Sequence, residues 1–305
     1  MSLLVVGSVA FDSVKTPYGE AKEVLGGSAV YFAVAASYFT PVRMVAVVGE
    51  DFGAGPMGLL RGRGIDVSGL QVAKGKTFRW GGEYSEDLNE RTTLFTHLNV
   101  FESFKPKIRR EDVGVDNLFL GNIDPDLQRQ VLSETKPKFS ACDTMNFWIE
   151  GRNESLKRLL ASVDGLIIND SEARLLAGEL NTVAAARRLL SLGLSFLVIK
   201  RGEYGAALFH GGHYFAVPAY PIEKPTDPTG AGDSFAGGFM GHLCRKGESS
   251  GRALREAMIY GSVLASFCVE DFSLKRLAAV DVKAIESRFR DLKEFLSVNE
   301  PSSRR

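Results

Sequence analysis

Cysteine is scarce in this chain. Cys142, Cys244 and Cys268 are the 3 found in 305 residues, an odd number with no CxxC pair, which excludes a disulfide framework and a zinc ribbon. Net charge is absent too, because 37 Lys and Arg offset 37 Asp and Glu. Without a basic excess there is no general electrostatic hold on nucleic acid or on an anionic membrane. Long hydrophobic runs are also missing. The uncharged stretch Gly26–Val42 contains two glycines and Pro41 and falls short of the roughly 20 apolar residues of a spanning helix. The apolar start, Met1–Phe11, lacks a basic n-region and is cut short by Asp12, so it reads as a first strand rather than a signal peptide. With 45% apolar and 24% charged residues, a substantial core is available, and the reducing cytoplasm is the expected compartment.

Short apolar runs recur: Leu3–Val9, Arg43–Val48, Asn117–Leu120, Phe139–Asp143, Gly165–Asn169, Phe196–Lys200 and Ala206–Phe209. Such runs predict strands buried on both faces, as in a parallel sheet covered by helices. Helical patterns alternate with them over Ala29–Phe39, Glu154–Ser162, Ser171–Leu176, Thr182–Leu192 and Arg252–Phe267, which predicts α/β layers. The polar segment Gln71–Phe104, rich in Thr and aromatics, breaks this rhythm and is expected to be a small β excursion able to act as a lid. We expect a single domain over residues 1–296, with the lid at about 71–104 and a frayed tail over 297–305.

The strongest local signal is Asp227-Pro228-Thr229-Gly230-Ala231-Gly232-Asp233. Pro228 biases Asp227 toward an extended conformation, and the small residues that follow let bare N–H groups point at one spot as a helix begins. Such a spot holds a phosphate, with Asp233 beside it as a proton acceptor. An ordinary glycine turn capped by Asp233 fits the same residues. Two nucleotide motifs fail on spacing. Gly75-Lys76-Thr77 would need a glycine at Leu70 to complete a phosphate-binding loop, and Gly230-Ala231-Gly232 would need one at Phe235 for a dinucleotide fingerprint.

Ser234, Gly237, Gly238 and Gly241 share one face of the helix that follows, and Ala257, Gly261 and Ala265 form a matching stripe, so these two helices are expected to pack closely. Asn169 and Glu172 fall where a strand gives way to a helix; they suit either water-mediated magnesium or a capping box. His210-Gly211-Gly212-His213 has no third ligand and reads as a hairpin turn. Asp12 at a strand end, and Gly26-Gly27 before a helix, suit either a polyol contact or plain turns.

Together these segments resemble the ribokinase-like (PfkB) carbohydrate kinase family, from about Leu3 to Leu277. Asp227–Asp233 is similar to its C-terminal signature, Asn169–Glu172 to its NxxE motif and Lys200–Gly205 to its nucleotide-contacting turn. Gly26-Gly27, Val48–Gly53 and Gly64–Leu70 match further segments in the right order. The resemblance implies a three-layer α/β/α ribokinase-like fold with a mainly parallel sheet and a small β-sheet lid. It implies ATP-dependent phosphoryl transfer to a hydroxyl of a small carbohydrate or related polyol, or of a nucleoside; a non-catalytic sugar- or nucleotide-binding member is the alternative, which has no need of Asp233 as a base. Under it, Asp233 is the base and Gly230, Ala231 and Gly232 form the anion hole. Asn169 and Glu172 act on Mg²⁺ through water. Asp12, Gly26, Gly27, Tyr31 and Arg79 face the acceptor, while Lys200, Gly202, Gly205 and Thr229 face ATP. Trp80, Tyr84, Asn89 and Asn99 are further lid candidates. Tyr31 stands where many sugar kinases carry Asn. Glu270–Ser273 is not a clear match to the monovalent-cation loop, so potassium is not assigned. Pairing of two copies through the lid is the implied dimer.

Overall fold

Leu3 and Val5 pack into one hydrophobic cluster while Leu4 and Val6 pack into another. That alternation, in a strand whose four residues are all buried, puts helices on both faces of the sheet and explains why its strands read as unbroken apolar runs. The computed structural model describes residues 1–88 and 90–297; Asn89, and the expected tail beyond Ser297, lie outside the described residues.

Among the described residues, thirteen strands are formed by Leu3–Val6 (β1), Ala10–Thr16 (β2), Gly19–Gly26 (β3), Val42–Gly49 (β4), Asp66–Ala73 (β5), Phe78–Tyr84 (β6), Arg91–His97 (β7), Asn117–Leu120 (β8), Phe139–Cys142 (β9), Gly165–Asn169 (β10), Phe196–Lys200 (β11), Ala206–His210 (β12) and His213–Val217 (β13). Nine build the main sheet in the order β13-β12-β11-β10-β9-β8-β1-β4-β5. It is parallel from β5 to β11, and β12 and β13 close it as an antiparallel hairpin. The chain turns between those last two strands at Gly211 and Gly212, both with positive φ, as the His-Gly-Gly-His segment predicts.

The small sheet has the order β3-β2-β6-β7. The excursion expected over 71–104 therefore supplies two of its strands, and Ala10–Gly26 supplies the other two. Alternation alone could not show that β2 leaves the main layer, because the apolar run through Val9 continues without a break into it. Asp51, in the matched segment Val48–Gly53, pins the base of the lid by accepting from the Thr77 amide (2.8 Å) and hydroxyl (2.7 Å).

One helix, Ala231–Lys246, runs through the core between Ser28–Ala36 and Gly251–Cys268. Its glycines serve both neighbours. A Cβ on Gly238 would lie 2.8 Å from the Tyr260 carbonyl oxygen, whereas one on Gly237 would meet Phe32 and Ala35, and one on Gly241 would lie 3.0 Å from Ala36 Cα. The stripe assigned from sequence to the Gly251–Cys268 helix is thus shared with Ser28–Ala36, which is buried along its whole length. Among the described residues no helix is long and apolar enough to cross a membrane.

Candidate active site

Parallel strands deliver their ends to one edge. β10 and β11 pair in register at Asn169 and Lys200, and Asp143 follows β9, so an amide, an ammonium and a carboxylate collect at the carboxyl edge where ligands settle in open α/β sheets. The Ala231–Lys246 helix begins beside them. Its cap, Gly230, has φ 77°, a left-handed conformation suited to glycine, and the Tyr31 ring fills the place a Cβ would take. Ala231 N–H donates to Pro228 O at 3.1 Å, so that amide is engaged internally. Gly232 N–H has no acceptor among the described residues, as expected for an orphan amide of a first helical turn. A Cβ on Gly232 would lie 2.6 Å from Lys200 Nζ; the bare glycine lets the ammonium close against the helix start. An orphan amide, the positive helix end and a fixed ammonium together form a cradle for an anion.

Acids surround this cradle. Asp233, in the first helical turn, is pushed up to about 6, chiefly by loss of hydration, with Glu172 adding to the rise and Lys200 and Arg91 opposing it. Asp12 is buried, 5% exposed, at a bulge in the β2–β3 pairing. Burial, then Asp227 and Asp233, push it up to about 7 against the Gly27 amide that it accepts from. A Cβ on Gly26 would collide with the Asp12 carboxylate, so Asp12, Gly26 and Gly27 form one cluster. Glu172 is raised by burial and opposed by Lys200. Asp143, shut in at the end of β9, is raised well above the usual carboxylate range by burial and by Asp233, and its Oδ1 has no hydrogen-bond partner.

Asn169 and Glu172 form a reciprocal capping box. Asn169 Oδ1 accepts from Glu172 N–H at 2.8 Å, and Glu172 Oε2 accepts from Asn169 N–H at 3.0 Å. The capping reading of this pair is thus the one seen, and the cap fixes the Glu172 carboxyl through Oε2. Thr229 donates its hydroxyl hydrogen to Tyr84 Oη at 3.1 Å, tying the lid to the signature loop, while Asp227 Oδ1 takes the Thr229 amide at 2.8 Å. Gly202 and Gly205 turn the chain after β11 with φ 56° and 84°, and Gly205 sits against the Val217–Pro218 backbone.

Two expected acceptor contacts are placed elsewhere. Tyr31 is 1% exposed, its ring walled in beneath Gly230 rather than offered to a ligand. The Arg79 guanidinium is committed to Glu23 (2.6 Å), Asp51 (2.8 Å) and Thr77 O (3.1 Å), at the base of the lid. Asn99 is likewise spent on Thr77 O at 2.9 Å. Conversely, Arg91 and Asp143 escaped the sequence reading. Arg91 lies over the Trp80 ring at 5.1 Å and its charge reaches Asp12, Glu172 and Asp233. Asp143 obeys the same strand-end rule that singled out Asn169; nothing local marks Arg91.

Such a cleft, at the carboxyl edge of a parallel sheet, with an anion cradle and a proton acceptor under a β lid, defines an α/β phosphoryl-transfer protein. Residues 2–277 match the model of the pfkB family carbohydrate kinases, and the chain belongs to that family. It is 31% identical over 270 residues to the cytidine kinase of Thermococcus kodakarensis, covering 86% of this chain and 93% of that protein. It is 28% identical to the 2-dehydro-3-deoxygluconokinase of Thermoproteus tenax, covering 72% of each. The nucleoside kinase structure of Methanocaldococcus jannaschii superposes with a TM-score of 0.76 at 19% identity, covering 95% of this chain and 98% of that one, a likeness of fold.

Proposed function

We propose that the protein transfers the terminal phosphoryl group of ATP to a hydroxyl of a ribose-bearing small molecule, with a nucleoside as the favoured acceptor. The observation that carries the chemistry is Asp233 standing next to the cradle built by Gly232 and Lys200. Asp233 accepts the hydroxyl proton as the oxygen attacks. Phosphoryl transfer depends mainly on positioning and on meeting the charge spread over the moving group. Gly232 N–H, Lys200 Nζ and Arg91 supply that positive environment. Asp12, with the Gly27 amide at its back, accepts hydroxyl hydrogens from the acceptor. Closure of the lid, read from the Tyr84–Thr229 bond that joins it to the signature loop, excludes water that would otherwise compete for the phosphoryl group. Gly202 and Gly205 shape the turn after β11 that faces the ATP side of the cleft, Gly205 by letting that turn close against the Val217–Pro218 backbone.

The residues present suit magnesium. Among the described residues no three His, Cys, Asp or Glu side chains converge to cage a metal, yet Asp143 Oδ1 is a buried carboxylate oxygen without a partner beside Glu172. Such an all-oxygen set holds an ion that keeps most of its waters, with Glu172, Asn169 and Asp143 as its holders. Bound there, it would offset negative charge on the phosphates.

Two observations support a nucleoside acceptor: the cytidine kinase relative matches over almost its full length, and the lid carries two aromatic residues, Tyr84 bonded to Thr229 of the signature loop and Trp80 beneath Arg91. The test is ADP release from purified protein with ATP and magnesium against cytidine, inosine, ribose, fructose, inositol and 2-dehydro-3-deoxygluconate. Turnover of a nucleoside at least about tenfold above any free sugar, as one lost set of ring contacts provides, is expected. Preference for a free sugar overturns the nucleoside assignment, and release with none of the compounds overturns the kinase reading.

A further inference from the structure

The far end of the Ala231–Lys246 helix carries a second feature. Its last turns, the first turns of Gly251–Cys268 and the last turns of Val282–Phe295 enclose a groove of about 480 Å³. Five cationic side chains line it: Arg245, Lys246, Arg252, Arg255 and Lys293, against one acid, Glu256. Glu256 is already shared, reaching Lys246 at 3.1 Å and Arg252 at 3.2 Å. Among the described residues no carboxylate comes within 4.0 Å of Arg245, Arg255 or Lys293. Arg245 stacks over Phe39 and Tyr260, and Arg255 over Phe215, which fixes the planar heads without neutralising them.

The floor is polar and unfinished. His242 is 1% exposed, stacked on Tyr260 at 4.6 Å, and Tyr260 is backed by Phe289. Arg245 Nη2 lies 3.2 Å from His242 Nδ1. Arginine only donates, so Nδ1 is the acceptor and the ring proton resides on Nε2. His242 Nε2 lies 3.4 Å from Glu256 Oε2 without the alignment of a hydrogen bond. Burial, helped by Arg245, lowers this imidazole to about 4, so it remains a neutral donor at physiological pH. A buried donor without a hydrogen-bonded acceptor is costly, and here it lines a cavity whose five cations face one carboxylate, Glu256.

We propose that this groove binds a small phosphorylated anion with at least two negative charges, held by Arg245, Arg255 and Lys293 with His242 Nε2–H donating from the floor, at a site separate from the catalytic cleft. The unmatched charge sets the valence, since three cations without carboxylates call for a di- or trivalent ligand. Guanidinium groups favour phosphate through paired N–H donors. The inference does not rest on the kinase reading.

The test uses the full chain labelled with ¹⁵N-histidine, which has 4 histidines, and follows the His242 Nε2–H resonance during titration with inorganic pyrophosphate and, separately, ADP. Salt at 0.15 M screens diffuse attraction, with a Debye length of about 8 Å. Pyrophosphate should shift that resonance saturably, and Arg255→Ala/Lys293→Ala should weaken the apparent affinity by at least about tenfold, the scale of lost charge-assisted bonds, with Tm and kinase turnover unchanged. Lys200→Ala, which strips the catalytic cradle of its ammonium, should leave the His242 titration intact. A tighter response to ADP than to pyrophosphate assigns the site to nucleotides, and an equal one to the phosphate moiety alone. A silent His242 resonance, or an unaltered affinity in the double variant or in Lys293→Glu, overturns the proposal.

Discussion

The Ala231–Lys246 helix ends in two unlike neighbourhoods. Around its start, Asp12, Asp143, Glu172, Asp227 and Asp233 are all raised from their ordinary values, and burial is the first cause in every case. Around its finish, Arg245, Lys246, Arg252, Arg255 and Lys293 stand at the surface. Both ends complement the helix dipole, but only the first gathers several acids out of water; at the finish the buried His242 is neutral, and the cationic groups stay exposed. Cationic side chains at an exposed helix end cost little, whereas a cluster of buried acids opposes folding. Stability gives no reason to keep those acids; chemistry that needs a proton acceptor near neutrality does.

The contrast can be broken most forcefully at Asp233. Asp233→Asn should lower turnover by about 10²–10⁴-fold, the usual range for a lost general base, with ATP affinity by calorimetry close to that of the unaltered protein. Turnover within threefold of normal would remove Asp233 from the mechanism. Next comes Asp12→Asn, which should raise the acceptor KM by about 10–100-fold, as loss of hydrogen bonds from a charged acceptor does. Its stability effect has the opposite sign. Asp12 is pushed up to about 7 in the folded state from an ordinary 3.8, so the folded state holds the proton more tightly and stability declines as pH rises through that interval. At pH 8 the Asn variant should therefore melt higher than the parent, and the gain should vanish near pH 4. A lower melting point at pH 8 would mean the Asp12 carboxylate stabilises the fold.

Packing of the shared helix gives the third test. Gly237→Ala places a Cβ against the Phe32 carbonyl and within 2.8 Å of Ala35 Cβ. It should cost about 1–3 kcal/mol through overpacking, read as a lower denaturation midpoint; an unchanged midpoint would show that the Ser28–Ala36 helix can move away. The smallest effect is expected at the lid. Tyr84→Phe removes one bond to Thr229 worth about 1 kcal/mol, so kcat/KM should fall by roughly fivefold while the melting point holds, and a larger loss would give the Tyr84 hydroxyl a direct role on the substrate.

Much of this arrangement was legible in the chain. Runs such as Gly165–Asn169 and Phe196–Lys200 are apolar on both faces, and their boundaries coincide with β10 and β11; the strand-to-helix change at Asn169 and the glycines before Asp233 mark the cleft edge. The lid was half read, because β2 follows β1 with no composition change at Val9 to mark where the chain leaves the main sheet. Arg91 and Lys200 show a deeper limit. Each acts on Asp233 through space from another element, and nothing in the neighbouring residues says so. Tyr31 and Arg79 fail in the reverse direction. Their residue types suggested ligand contact, and only the packing beneath Gly230 and the ion pairs to Glu23 and Asp51 reveal where they are spent.

The pH dependence of kcat/KM, measured for the unaltered protein and for Lys200→Met, tests the Asp233 cradle most directly. Asp233 must be deprotonated to take the hydroxyl proton, so the rate should fall on the acid side with a limb at about 6, set jointly by the coupled acids. Lys200 holds Asp233 down, and its replacement should move that limb to higher pH as well as reduce the plateau. A profile flat from pH 5 to 8, or a limb that stays in place when the ammonium is removed, would contradict the account.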